Sequence, residues 1–399
     1  MMSQPPKLDP FRSAPIQATG GQHGHPSQSV FKRGTGHTPR DYARNPMNVY
    51  WEMTQACSLA CRHCRAEAMP EPNPDQLTLD EGISLLDQIA SFDQPLPQLV
   101  MTGGDPLEHP NLLTLLDAAR SRGIEPAITP AATTLVTYDR LKQLADHGVS
   151  AFGLSLDGSS PQRHDAIRGV PGTFLRTLQA IQWAEALTIP VQVNTLVSED
   201  TADDLPAIFE LLSRTQIARW SLFFLVSVGR GKTLTPLSAE EGERVMAWAF
   251  EQSLIAPFMV VTTEAPAYRR VVLERMRERG MGNAEVQRHP AMRGGGIRDG
   301  HGVVFVSNTG DIYPAGFLPV TVGNIRRDHL VNVYRASPIF ERLHQSVTFE
   351  GNCGSCEYHG LCGGSRARAF AATGSPFGSD PFCTFQPTSS VPRFEPSRG

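Results

Sequence analysis

The sequence predicts an α/β fold: a partial, open (β/α)6 barrel followed by a small cysteine-bearing C-terminal unit. Three observations predict it. Six short apolar runs alternate with helical stretches between residues 48 and 226, polar motifs recur just after those runs, and all seven cysteines fall into two compact groups far apart in the chain. Alternating strand and helix units with short loops demand a parallel sheet with its helices outside, and right-handed crossovers let six units curve into an open barrel.

The extended runs are 48–54, 98–102, 125–129, 151–156, 190–196 and 219–226, each bounded by turn residues. Helical stretches lie between them at 79–90, 110–122, 138–147, 173–186 and 202–212. In the last of these, Leu205, Ile208, Leu211 and Leu212 recur at the spacing of one buried helical stripe. A second unit begins near residue 296, where Val303 to Val306 and Ile312 to Tyr313 flank the hairpin-like Asn308-Thr309-Gly310. An extended run at 322–325 and a helical one at 330–344 then lead into the second cysteine group.

The expected organisation is a disordered arm at 1–45, a barrel core at 46–235, a helical connector at 236–295, a cysteine-bearing domain at 296–385 and a flexible tail at 386–399. The arm is rich in Pro and Gly with few large apolar residues, and its His23, His25 and His37 are expected to be solvent-exposed. No apolar run approaches the roughly 18 residues that span a membrane, and the first thirty residues lack the apolar core of a signal peptide. Cytoplasmic location and no membrane partner are expected. Net charge is −4 over 399 residues, which offers no electrostatic reason for nucleic acid or anionic lipid as a partner.

Cys57, Cys61 and Cys64 form a C-x3-C-x2-C run, and Cys353, Cys356, Cys362 and Cys383 a C-x2-C-x5-C-x20-C run. Three thiolates can hold three irons of a four-iron cube and leave the fourth open to a ligand, whereas four can close a cluster. Zinc is the competing reading; the first group would then need His63 as its fourth ligand. Disulfides fit poorly with an odd cysteine count and a chain long enough to build its own core.

The first run, placed after a first strand, resembles the signature of the radical SAM superfamily. Gly103-Gly104-Asp105-Pro106 is similar to its GGEP-type segment, with aspartate for the more usual glutamate, and Ser155 and Asp157 of GLSLDG fall where its fourth strand touches the cofactor. His164-Asp165, Arg168-Gly169, Gly172 and Phe174 resemble the HDxxRG segment of members with C-terminal clusters. The resemblance implies a partial (β/α)6 TIM-like radical SAM barrel, S-adenosylmethionine as cofactor, and a first 4Fe-4S cluster open to it. His63 would back the adenine, Gly103 to Pro106 would meet the methionine amino group, Arg168 would suit its carboxylate, and Asn194 and Val197 would contact ribose and adenine. The second group looks like a SPASM or twitch-type extension; Ala315 stands where a cysteine commonly follows the Tyr-Pro pair, so one fully ligated auxiliary 4Fe-4S cluster is expected. An external electron donor such as flavodoxin or ferredoxin is implied.

The second group's spacing is most similar to that of haem-biosynthesis members of the AdoMet-dependent haem synthase type. A tetrapyrrole precursor is thus one substrate expectation, with His301, Arg298, Arg293 and Arg230 as candidate partners for its carboxylates. A ribosomally made peptide is the alternative, because peptide-modifying radical enzymes share the scaffold. A non-catalytic iron-sulfur or zinc protein would leave GGDP, SLDG and the HDxxRG segment without a reason. No general acid or base is assigned.

Overall fold

The computed structural model describes residues 40–292 and 295–387. Residues 1–39, Arg293 with Gly294, and the chain from 388 onward lie outside the described residues, and with them most of the expected arm and tail.

The core alternates strand and helix in chain order: β1 Asn48–Glu52, α1 Leu79–Ala90, β2 Gln98–Thr102, α2 Leu112–Ser121, β3 Pro126–Ile128, α3 Tyr138–Asp146 and β4 Ala151–Ser155. It continues through α4 Pro161–Arg168, α5 Thr173–Ala186, β5 Val191–Val197, α6 Leu205–Leu212 and β6 Arg219–Phe224, then α7 Ala239–Ser253, β7 Met259–Thr263, α8 Tyr268–Glu278 and α9 Asn283–Arg288. After these come β8 Val303–Val306, β9 Asp311–Tyr313, β10 Gly323–Asn324, α10 Leu330–Ala336, α11 Pro338–His344, α12 Gly351–Ser355 and α13 Arg366–Thr373. Helix starts carry local signals: Thr78 with Glu81 and Ser238 with Glu241 form capping boxes before α1 and α7.

All ten strands form one sheet in the order β10-β9-β8-β1-β2-β3-β4-β5-β6-β7. Pairing is parallel from β8 through β1 to β7 and antiparallel in β8-β9-β10. Two expectations about the sheet are corrected by this order. The connector is not wholly helical, because Met259–Thr263 pairs with β6 as a seventh parallel strand. The C-terminal hairpin does not stand apart, because β8 lies parallel to β1, with Tyr50 opposite Phe305. Both corrections have one physical cause: an open sheet has free edges, and short runs distant in sequence can satisfy their backbone groups there. Residues 40–45 are also held to the core rather than belonging to a loose arm. The Asn45 side chain donates to the Asp93 and Pro95 carbonyls, and the Tyr334 hydroxyl donates to the Tyr42 carbonyl. The helix expected at 330–344 is broken by Pro338, which lacks an N–H and excludes the residue before it from helical geometry.

Strand residues alternate. Val49, Trp51, Leu99, Met101, Leu154, Val193 and Trp220 are buried under the helices. The intervening Tyr50, Gln98, Thr102, Ser155, Gln192, Asn194 and Arg219 are less covered and share the opposite face. The barrel therefore has an apolar outer layer and a polar lumen. Among the described residues, no helix is long and apolar enough to cross a membrane.

Candidate active site

The first cysteine group lies in the loop that leaves β1, and backbone contacts fasten it on every side. Gly104 N donates to Thr54 O at 2.8 Å and Asp105 N to Ala56 O at 2.7 Å, so the chain leaving β2 lies against the chain entering the loop. A Cβ at Gly104 would sit 2.3 Å from Ala56 O, and one at Gly103, where φ is +151°, 2.5 Å from Thr54 O. The two glycines thus serve the approach of backbone to backbone beside Cys57. Cys57 N donates to Met69 O at 2.8 Å and closes the loop. Arg230, a candidate for substrate carboxylates, instead clamps this loop: Nε donates to Cys61 O at 2.9 Å and Nη1 to Ala68 O at 3.1 Å.

Each of the three sulfurs accepts a hydrogen bond: Cys57 from Leu59 N at 3.4 Å, Cys61 from Arg168 Nη1 at 3.6 Å, and Cys64 from Ala68 N at 3.4 Å. Burial pushes the Cys57 thiol up to about 12, so binding a metal there must displace a proton. Burial also drives the His63 imidazole down to about 4, leaving it neutral beside the loop.

Around the loop, the other expected residues occupy distinct places. Asp105 is 0 % exposed and its carboxylate is engaged within the protein, accepting from Leu107 N, Ala131 N and the Thr133 hydroxyl. Burial outweighs these donors and raises its pKa to about 6. Its backbone, not its side chain, is what it can offer a ligand. Pro106 opens the short 3-10 turn that Asp105 caps. Asp157 accepts from Leu196 N at 2.8 Å and pairs with Arg168 Nη2 at 2.9 Å. Burial pushes its carboxyl up, but Arg168 and the neighbouring rings prevail and hold it below the usual range. Arg168 is therefore committed to an internal carboxylate, a pairing that the HDxxRG pattern alone did not reveal. Ser155 and Asn194 are paired in register on adjacent strands, on the lumen face, and Val197 is 1 % exposed at the end of β5. Leu59, Ser155, His164, Arg168 and Thr177 line a small cavity beside the loop.

Glu52, which closes β1, was missed from sequence. It is 5 % exposed, pairs with Arg65 of the cysteine loop at 2.8 Å and accepts from Asn308 Nδ2 of the C-terminal hairpin at 2.6 Å. No local pattern marks a contact that joins three segments so far apart.

The second group assembles beyond the open rim. Cys353 lies in α12, Cys356 caps that helix, and Cys362 and Cys383 follow from loops. Cys356 accepts from Tyr358 N at 3.3 Å, Cys362 from Gly364 N at 3.3 Å, and Cys353 from both Asp380 N at 3.3 Å and Arg366 Nη2 at 3.4 Å. The unit is anchored to the core: Arg368 Nη2 donates to Glu264 O at 2.8 Å, and the Ser365 hydroxyl donates to the Glu264 carboxylate at 2.6 Å. Arg298 and His301, expected near substrate carboxylates, sit inside this unit. Arg298 donates to Gly296 O and Leu343 O, and His301 packs 5.4 Å from the His344 ring.

Both groups fit iron-sulfur clusters. Every sulfur of the first group and at least three of the second receive N–H donors, which stabilise thiolates on a cluster. Among the described residues, no three His, Cys, Asp or Glu side chains converge as a single metal ion requires.

Fold and site together define a radical enzyme of the S-adenosylmethionine-cleaving class. The model of the radical SAM superfamily matches residues 51–212, and the chain belongs to that superfamily. It is 33% identical over 376 residues to the AdoMet-dependent heme synthase of Oleidesulfovibrio alaskensis, covering 92% of this chain and 95% of the relative. It is 32% identical to the AdoMet-dependent heme synthase of Methanosarcina barkeri, covering 86% and 97%. Among solved structures, Streptococcus suis SuiB bound to its precursor peptide SuiA shares the fold, with a TM-score of 0.65 at 16% identity over 86% of this chain and 76% of that one.

Proposed function

We propose that this enzyme removes carbon dioxide oxidatively from carboxylate side chains of a haem precursor. The observation that supports this reading most is the likeness to heme synthases along nearly their whole length. Cys57, Cys61 and Cys64 would hold a 4Fe-4S cluster with one open iron, and Cys353, Cys356, Cys362 and Cys383 a fully ligated one. When bound, the first cluster and S-adenosylmethionine would supply hydrogen-abstracting radical chemistry at the substrate.

The chain's own residues hold and shield. In this reading the Gly103–Asp105 backbone, Ser155 and Asn194 meet the cofactor, and His63 packs beside it as a neutral ring. Arg168 and Asp157 fix the loop's electrostatics instead of binding the cofactor carboxylate. Tyr50, Gln192 and Arg219 give the lumen polar groups for a substrate that carries carboxylates. An external flavodoxin or ferredoxin would supply the electron that starts turnover, and an oxidised one-electron carrier of the same kind would take up the electron that the substrate releases with carbon dioxide and, from the protonated acid, a proton.

A second reading, a ribosomally made peptide as substrate, draws on the SuiB-like fold. Anaerobic turnover of reconstituted protein with iron-coproporphyrin III and, separately, with a precursor peptide, read by mass, separates the two. Loss of carbon dioxide and two hydrogens per side chain supports the first. An unchanged porphyrin with a modified peptide overturns it.

A further inference from the structure

Three arginines around the second cysteine group have no carboxylate within ion-pair distance among the described residues. Arg366 is 0 % exposed and directs its donors to the carbonyls of Gly364, Pro376 and Gly378 and to the Cys353 sulfur. Arg298 is 6 % exposed; it donates only to carbonyls, and its Nε is buried without a partner. Arg269, half-buried on α8, donates to Ile297 O. A guanidinium withdrawn from water without an anion is costly, and carbonyl dipoles offset only part of that cost.

These charges also crowd one another. Arg366 and Arg298 both lie over the Phe349 ring, at 4.4 and 5.3 Å from its centroid. Like charges held so near each other in a buried place call for an anion between or beside them.

The backbone after Cys362 is shaped around the same two residues. Gly363 and Gly364 have φ of +70° and +68°. A Cβ at Gly363 would lie 2.8 Å from Arg298 Cδ. One at Gly364 would lie 2.5 Å from Arg366 Nη2 and 3.0 Å from the Cys353 sulfur. Arg269 and Arg298 both lie near enough to Cys362 to interact with its charge. Four carboxylates share the neighbourhood: Asp380, which pairs with Arg368 at 3.4 Å, Glu357 beside Cys356, and the buried Asp299, which accepts from Ala367 N at 2.9 Å, is hydrogen-bonded to Glu264 and feels the Arg366 charge. Among the described residues, none of the four forms an ion pair with the three arginines.

The anion that these cations lack is the thiolate centre itself. A four-iron cube on four thiolates is doubly negative when oxidised and triply negative when reduced, so buried positive charge favours the reduced form more. We propose that Arg366, Arg298 and Arg269 are the built-in counter-charge of the four-cysteine centre and raise its reduction potential. This rests on reading Cys353, Cys356, Cys362 and Cys383 as a fully ligated cluster.

The test is a redox titration of the reconstituted full-length chain, both clusters followed by electron paramagnetic resonance and the first serving as internal reference. Arg366→Gln and Arg298→Gln are expected to lower the midpoint of the second centre and leave the first unchanged. Arg366→Lys, which keeps the charge, is expected to restore most of the loss. Only intact clusters give the signal, so a partly loaded variant still reports, and Arg298→Gln decides the matter should Arg366→Gln not fold. An unchanged second midpoint in the Gln variants overturns the proposal and assigns these arginines to holding loop carbonyls. Iron content that stays near about four per chain and is insensitive to Cys353→Ala would instead remove the second cluster on which the proposal rests.

Discussion

Arg168 places Nη2 2.9 Å from Asp157 Oδ2 and Nη1 3.6 Å from the Cys61 sulfur, so a single buried guanidinium joins the rim beyond β4 to the cysteine loop. Its side chain is 11% exposed and that of Asp157 2%. Removing the cation strands a buried carboxylate, which costs about 3–5 kcal/mol. Arg168→Met should therefore lower the unfolding free energy by about that amount, measured by urea under anaerobic conditions, and adding Asp157→Asn should recover much of it. Equal stability of Arg168→Met and wild type would mean that the pair is not buried in solution.

The three-plus-four division of cysteines separates two losses. Cys57→Ala, Cys61→Ala or Cys64→Ala should abolish 5'-deoxyadenosine formation, measured by chromatography, because a cluster missing one of three thiolates cannot assemble. Cys353→Ala should lower iron from about eight to about four per chain while spectroscopic binding of S-adenosylmethionine persists. Iron unaltered by Cys353→Ala would count against the second centre.

Gly104 has no room for a methyl group, since its Cβ would lie 2.3 Å from Ala56 O and 2.6 Å from Gln55 O. Neither obstacle is a side chain that can swing away. Gly104→Ala should shift the cysteine loop, with low iron at the first site and nearly normal far-ultraviolet circular dichroism. Gly123→Ala is the control: nothing lies within 4 Å of a Cβ there, so iron loading should match wild type, and its positive φ of +73° should cost only about 1–2 kcal/mol.

Burial drives His109 and His164 down to about 4 and His301 to about 2, so these rings are neutral in the folded chain at neutral pH. An unfolded histidine titrates near about 6.5. Because the folded values lie lower, their contribution to stability is complete above about pH 6.5 and is lost as pH falls toward 4, at up to roughly 1.4 kcal/mol per pH unit for each ring. His109→Asn keeps the acceptor that Nδ1 offers to Asn111 N and removes the titration. It should flatten the fall in urea midpoint between about pH 6.5 and 5 by close to one proton. A slope equal to wild type would show the ring is exposed or charged in the folded state.

Much of the core was legible because its signals are local. Apolar runs, turn residues and the stripe through Leu205 and Ile208 are properties of neighbours along the chain, and all six expected strands formed within a residue or two of their expected limits. Three parts were not. The seventh strand, Met259–Thr263, has the β-branched residues of a strand but lies alone between two helices, and only its pairing with β6 makes it part of the sheet. The C-terminal hairpin reads as a separate unit until β8 meets β1. Arg230 and Arg298 are ordinary basic residues in sequence, and only the fold turns them inward onto carbonyls.

The sequence by itself determined the donor set: which seven thiols exist, how they divide, and that glycines flank them. Ligand chemistry and tight turns depend on residue type and short spacing. Tertiary structure decided which charges answer one another. The Arg168–Asp157 pair, the Glu52 link between β1 and the hairpin, and the arginines around Cys353 exist only once distant segments exclude water together, because burial is what makes an unpaired charge costly and a paired one decisive.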